Sequence, residues 1–366
     1  MPRLAALFII GSLFCCSAIS PAHAHSQSSS RVALGTEKGV PQTLSVDVAL
    51  IDLLHWIDLD SDGDARIVWG EVLAAKQAIF RFITDDVRIT AGEEFCNMAA
   101  GGDALSLVSG ESARALRVAL QVQCPAATEA GNFRLRYGLF FDANPAHRAL
   151  LRVTGEASDQ VYLLTSDNRE LRLTVDQSRF AGAGGFVREG LRHILSGYDH
   201  LVFLLLLILP AAGVGGMRSR PVRIGAIVTA FTVAHSITLA AAITGAVHLP
   251  ARPVEIGIAA SVVLAALMNV VRPLHALGAK IAFTFGLLHG FGFAGALAEL
   301  NLGQEALWPG LLAFNIGIEL GQLAVVALIL PVLALASASV GYRTLVVPSA
   351  SFACAVLGVV WTAARL

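Results

Sequence analysis

Charge is what this sequence has least of. Only 14% of its 366 residues are Asp, Glu, Lys or Arg, the formal net charge is -1, and no Lys/Arg-rich run or basic-aromatic stretch occurs. A nucleic-acid partner is excluded on that ground, because neutralising phosphates requires clustered cations. Cysteine (5) and methionine (4) are scarce and do not cluster, which argues against a soft site for Cu(I). No G-x4-G-K-[ST] loop occurs, so nothing resembles the glycine-rich cradle for ATP phosphates. Internal repeats and low-complexity tracts are also missing. What is abundant is apolar: 55% of residues are hydrophobic, and the excess lies mostly after residue 185.

The opening stretch "MPRLAALFIIGSLFCCSAISPAHAHS" has a basic start at Arg3, an apolar run from Leu4 to Cys16 and an A-x-A site at Ala22-His23-Ala24. This predicts a removable signal peptide over 1–24. Two cysteines would leave with it. Cys96 and Cys124 would stay in the exported part, where an oxidising compartment permits a disulfide between them; the alternative is two buried thiols. Residues 25–184 alternate in short runs such as "RALRVALQVQC", "NFRLRYGLFF" and "RELRLTV", which predicts a mainly β domain. One helix is expected at "WGEVLAAKQAIFRFITDDV", and "FAGAGGF" reads as the linker to the apolar half of the chain.

An acidic stretch, "DLDSDGDARIVWGEV", fits a calcium loop in two registers. Starting at Asp58 puts Gly63 at the sixth position but Trp69 at the twelfth, where a bidentate carboxylate is required. Starting at Asp60 supplies Asp60, Asp62, Asp64, the Arg66 carbonyl and Glu71 as ligands, with Ala65 where glycine is expected. The second register is chemically better, and an EF-hand-like loop with structural calcium is expected. The competing reading is an acidic, solvated approach to the next helix.

Beyond the linker lie six apolar segments, at about 191–213, 222–246, 254–272, 280–299, 308–335 and 344–364, each near the roughly 20 residues that cross a bilayer. Arg218, Arg220 and Arg223 come after the first, Arg272 and Lys280 after the third, and Arg343 after the fifth, whereas the alternate loops carry only Arg252. Cytoplasmic loops are the basic ones, so the domain before the first segment should lie outside. A multi-domain protein of the bacterial inner membrane is expected, with residues 25–184 periplasmic and 185–366 an all-α six-helix transmembrane bundle.

Ionisable side chains recur inside these segments. The first holds His193, Asp199 and His200; the second His235 with Ser236; the third starts at Glu255; the fourth holds His289; the fifth holds Asn315, Glu319 and Gln322. Such residues usually face the bundle interior and mark a route, relay or ligand site. His193 and His200 are separated by about 10.5 Å along an ideal helix, so either the helix unwinds near Gly197 or the two are successive stations inward. Asp199 could orient an imidazole as a carboxylate behind a metal ligand does. Gly286, Gly290, Gly292 and Gly295 read as close-packing positions, and Phe291 and Phe293 as packing residues.

"HILSGYDH", with its H-x5-D-H arrangement, together with "FTVAHSITL", "FGLLHGFGFA" and "FNIGIELGQL", resembles the HupE/UreJ membrane proteins, and "LFFDANPAHRALLRV" resembles the exported domain of their longer subgroup. The resemblance implies passage of nickel or cobalt, linked to maturation of a metalloenzyme partner, with His193, Asp199 and His200 as outer ligands and His289 as the later histidine. The shorter permeases carry a further histidine and glutamate around that last motif; here Glu299 comes only ten residues on. The residue set, His193, Asp199, His200, His235, His289 and Glu319, suits a borderline divalent ion, zinc included. Transport would be passive or ion-coupled rather than ATP-driven. Two other classes stay open: a zinc-dependent intramembrane hydrolase, in which Ser236 could help hold an oxyanion, and a metal-sensing or assembly protein whose exported domain docks a partner.

Overall fold

The computed structural model describes residues 28–109, 114–125, 133–155, 160–173, 182–213, 219–247, 249–271, 278–298, 304–339 and 341–366, of which 102, 103, 109, 293–298 and 304–307 by backbone alone. The expected signal peptide and Arg218, Arg272 and Glu299 lie outside these. Contacts divide the chain into two compact units, one mainly of His25–Gly185 and one mainly of Phe186–Leu297 with Leu311–Leu366.

The first unit is built on strands β1 (Ser29–Glu37), β2 (Val40–Ala49), β3 (Val87–Ala91), β4 (Glu94–Phe95), β5 (Asn97–Ser109), β6 (Arg114–Gln123), β7 (Phe133–Tyr137), β8 (Arg148–Thr154), β9 (Gln160–Leu164) and β10 (Glu170–Leu173). They form a six-stranded sheet, ordered β5-β6-β2-β1-β8-β9, and a four-stranded sheet, β10-β7-β3-β4. The larger sheet is mixed, because β1 runs parallel to β8 while its other neighbours pair antiparallel. Period-two patterning drives burial: Leu116, Val118, Leu120 and Val122 of β6 and Phe133, Leu135 and Tyr137 of β7 are all in the core. On β2, Asp47 is buried and lies directly opposite both Arg117 and Arg31 in the register. Arg117 donates to its two oxygens at 2.6 and 2.8 Å, a bidentate pairing that compensates the buried charge. Cys96 and Cys124 are disulfide-bonded.

Among the described residues of this unit there are also three short helices, α1 (Leu50–Leu53), α2 (Trp69–Ala74) and α3 (Lys76–Asp86). The single helix expected after the acidic loop is therefore interrupted at Ala75, whose ψ of 2° leaves the helical range. Helix α3 still buries one stripe, Ile79 and Ile83, as i,i+4 neighbours should.

The second unit is helical: α4 (Ala183–Ser196), α5 (Tyr198–Ala212), α6 (Ser219–Ile243), α7 (Ala251–Val271), α8 (Gly278–Ala298), α9 (Gln304–Ala336) and, after a π-helical turn at Tyr342–Val346, α10 (Val347–Arg365). Among the described residues four stretches are long and apolar enough to cross a membrane: Ser219–Ile243, Ala251–Val271, Trp308–Ala336 and Tyr342–Arg365. The chain is thus a multi-pass membrane protein by the character of its helices. The first expected span is not one straight helix. It is the pair α4 and α5, bent by 71° at Gly197, and α4 begins inside the stretch read as linker. Gly197 (φ -80°, ψ 91°) has left the helix, and a Cβ there would come within 2.8 Å of both the His193 carbonyl and His200 Nδ1.

Hydrogen bonds at the helix ends show the helices alternating in direction. Arg220 at the start of α6 donates to Ser337 beyond the end of α9. Arg343 donates to the Gly213 carbonyl after α5, and Tyr342 to the Leu209 carbonyl at 2.7 Å. At the opposite end, Arg365 of α10 donates to the Glu255 carbonyl of α7.

Candidate metal site in the helical unit

The bend at Gly197 resolves the spacing that a straight helix would forbid. His193 in the last turn of α4 and His200 in the first turn of α5 face each other, their ring centroids 4.8 Å apart. His235 of α6 lies 6.1 Å from each of them, and His289 of α8 lies 5.0 Å from His200. Imidazoles from four helices are therefore gathered around His200, with His200, His235 and His289 all buried, and no three of the four bring their ligating nitrogens within 4.8 Å of one another. Close approach of α8 to α6 depends on Gly290, where a Cβ would strike the His235 carbonyl and the Thr238 hydroxyl.

Hydrogen bonding fixes which nitrogen is open on two of these rings. A carboxylate and a peptide carbonyl can only accept, so His200 Nδ1 donates to Asp199 Oδ1 at 3.0 Å and His289 Nδ1 donates to the Phe285 carbonyl at 2.9 Å. Nε2 of both rings is left with its lone pair, buried and without a hydrogen-bond partner; the two nitrogens of His235, one of which carries the proton, are also buried without one. A neutral imidazole whose far nitrogen is anchored in this way is the usual form of a metal ligand. Asp199 Oδ1 also accepts the His200 backbone N–H, so the carboxylate is tied to the first turn of α5. Phe231 and Phe203 pack against His289 at 5.3 and 5.1 Å, closing the cluster on that side with apolar rings.

Glu319 is not brought to this cluster. Its carboxylate on α9 accepts a hydrogen bond from Thr229 at 2.8 Å, and Gln322 accepts one from Thr232 at 2.8 Å. Thr229 precedes His235 by six residues, about 9 Å along an ideal helix. Asn315 is buried one turn earlier on α9 and donates to the Leu311 carbonyl. Ser236 donates to the Thr232 carbonyl at 2.7 Å, so its hydroxyl proton is engaged within its own helix. One neighbour went unread in the sequence: Arg365, whose Nη2 lies 3.8 Å from Asp199 Oδ2. A lone arginine in the last turn of an apolar helix carries no spacing signal that would tie it to a residue so distant in the chain.

The acidic loop of the first unit is a separate candidate. Among the described residues, Asp60, Asp62 and Glu71 are the group of potential metal ligands whose ligating atoms all lie within 4.8 Å of one another. The loop winds about its own carboxylates: Asp60 accepts from the N–H groups of Asp64 and Ala65, and Asp64 from that of Arg66. Ala65 has φ 61°. Glu71 caps α2, accepting the Val68 N–H on one oxygen and the Ser61 N–H and hydroxyl on the other.

A multi-pass membrane protein with a buried cluster of oriented imidazoles is the class that fold and site together define. The HupE / UreJ family model matches residues 169–365, more than half of the chain, and the chain belongs to that family. No curated protein matches it. Family membership points to a membrane role related to nickel or cobalt transport.

Proposed function

We propose that the protein is a permease for a divalent transition-metal ion, nickel or cobalt, and that His193, Asp199, His200, His235 and His289 form the station at which the ion is held during passage. The observation that carries this reading is the gathering of imidazoles from four helices around His200, with open Nε2 positions on His200 and His289 set by hydrogen bonds on the other nitrogen. Nitrogen donors with one carboxylate behind them favour a borderline ion over Mg²⁺ or Ca²⁺.

In this reading α8 is a sixth span, Glu319 lies further along the route beside Thr229, and the bundle sits in a bacterial inner membrane with the β-rich domain in the periplasm. A metalloenzyme under maturation would be the recipient of the ion. The acidic loop holds a structural Ca²⁺ through Asp60, Asp62, Asp64, Glu71 and the Arg66 carbonyl; the convergence of three of these carboxylates supports it.

The deciding experiment is uptake of radiolabelled nickel and cobalt into proteoliposomes. His200→Ala and His289→Ala should each lose nearly all uptake while inserting normally. Wild-type rates in both variants would refute the route, and cleavage of lipid or peptide by a protein retaining one zinc would favour the hydrolase.

A further inference from the structure

Asp199 has two oxygens and two partners. Oδ1 faces His200, and Oδ2 faces the guanidinium of Arg365 at 3.8 Å. The arginine is itself held: Nη1 donates to the Glu255 carbonyl at 3.3 Å, and its own carbonyl accepts from Arg252 Nε at 3.2 Å. Its side chain is 12% exposed and that of Asp199 19%, so this ion pair is largely withdrawn from solvent. The starts of α5 and α7 and the end of α10 are thereby joined beside the imidazole cluster. A buried carboxylate with one free oxygen could rotate away from its histidine; a cation fixed on the second oxygen opposes that rotation.

We propose that Arg365 is a positioning residue of the imidazole cluster. By pairing with Asp199 Oδ2 it keeps Oδ1 on His200 Nδ1, and so keeps Nε2 of His200 as the ligating nitrogen. The inference rests on the metal reading above for its consequence, though not for its geometry. Carboxylates behind a metal-binding histidine typically contribute about 10–100-fold in affinity, and Arg365 acts one step further out through the same atom.

The test is a double-mutant cycle on the full chain in nanodiscs, with Co²⁺ alone as the probe. Arg365→Gln should weaken Co²⁺ binding about 10-fold and Asp199→Asn by at least as much. If Arg365 acts through Asp199, the double variant should bind no more weakly than Asp199→Asn, because residues in one network are not additive. Losses that add in the double variant would overturn the inference, since Arg365 would then act only as a clamp on Glu255. A metal-free measurement runs beside it: nitrogen NMR of the histidine-labelled protein should show a hydrogen-bonded Nδ1–H that Arg365→Gln perturbs and Arg365→Lys largely restores. An Nδ1–H signal unchanged in Arg365→Gln would also overturn it. Should the wild type bind no cobalt, the metal reading fails, and the NMR signal alone decides the positioning role.

Discussion

Ala65 shows how much one side chain can reveal. At the sixth position of a calcium loop the chain needs a left-handed residue, and Ala65 adopts it with φ 61° although its Cβ disfavours that region by roughly 1–2 kcal/mol. Gly63 is left-handed too, at φ 73°, so the backbone suits the sixth position of either register, and the ground for the one starting at Asp60 is the Glu71 carboxylate, which lies with those of Asp60 and Asp62. The Val68 N–H, and after it Ser61, hold the Glu71 carboxyl below its ordinary range, so it is ionised at neutral pH. Ala65→Gly should raise the melting temperature of the full chain in calcium, by relief of the left-handed cost less the extra freedom glycine has when unfolded. Glu71→Gln should abolish the calcium-dependent part of the melting shift. Scanning calorimetry with calcium and with chelator measures both, and identical wild-type melting in the two would remove the calcium site. Arg365 marks the opposite limit at this scale: its partner is set by how three helix ends meet, which no local pattern encodes.

At the scale of elements, periodicity was a good guide to type and a poor one to continuity. Alternation in "RALRVALQVQC" gave β6, and the apolar stretch after Gly190 gave helix, but neither the break at Ala75 nor the 71° bend at Gly197 can be read from composition. The bend was foreshadowed only by chemistry, since two histidines seven apart cannot meet on a straight helix. A second constellation, in the β-rich unit, ties four elements through a buried histidine. Ser28 before β1 donates to Asp52 of α1 at 2.7 Å, which leaves His147 Nδ1 to donate to Ser28 Oγ at 2.6 Å and Tyr137 of β7 to donate to His147 Nε2 at 3.2 Å. Burial, and secondarily Arg148, pushes the His147 pKa down to about 3 from its ordinary 6.5. The folded state therefore holds His147 neutral while the unfolded chain takes up a proton below pH 6.5. Stability from this site is complete above that pH and is lost as pH falls toward 3. His147→Phe should lower stability at neutral pH, by on the order of 1–3 kcal/mol for the orphaned hydrogen bonds, and flatten the pH dependence in that window. Denaturant melts followed by tryptophan fluorescence between pH 4 and pH 7, as approximate limits, report both effects. An unchanged slope in the variant would mean that another group dominates.

For the whole molecule, two independent lines bear on the arrangement of the helices. Basic residues concern absolute orientation: Arg220, Arg223, Lys280 and Arg343 lie at helix ends read as one side, Arg252 and Arg365 at ends read as the other, and connections rich in Lys and Arg usually stay in the cytoplasm. Helix-end contacts concern relative direction: Arg220 with Ser337 and Arg343 with Gly213 gather at one end, Arg365 with Glu255 and Asp199 at the other. On the proposed topology the end holding Arg220 and Arg343 is the cytoplasmic one, which would put Asp199 and the bend at Gly197 in the outer half. A metal ion arriving from the periplasm would then meet the facing pair His193 and His200 before His235 and His289. Reporter fusions after Ser219 and after Tyr342 should register in the cytoplasm, and a fusion after Leu302 on the outer side. A cysteine substituted for exposed Tyr198, next to the bend, should react with a membrane-impermeant maleimide added to intact spheroplasts. Cytoplasmic signal at Leu302 together with protection at residue 198 would invert the bundle, and the imidazole cluster would then open toward the cell interior as an exit rather than an intake.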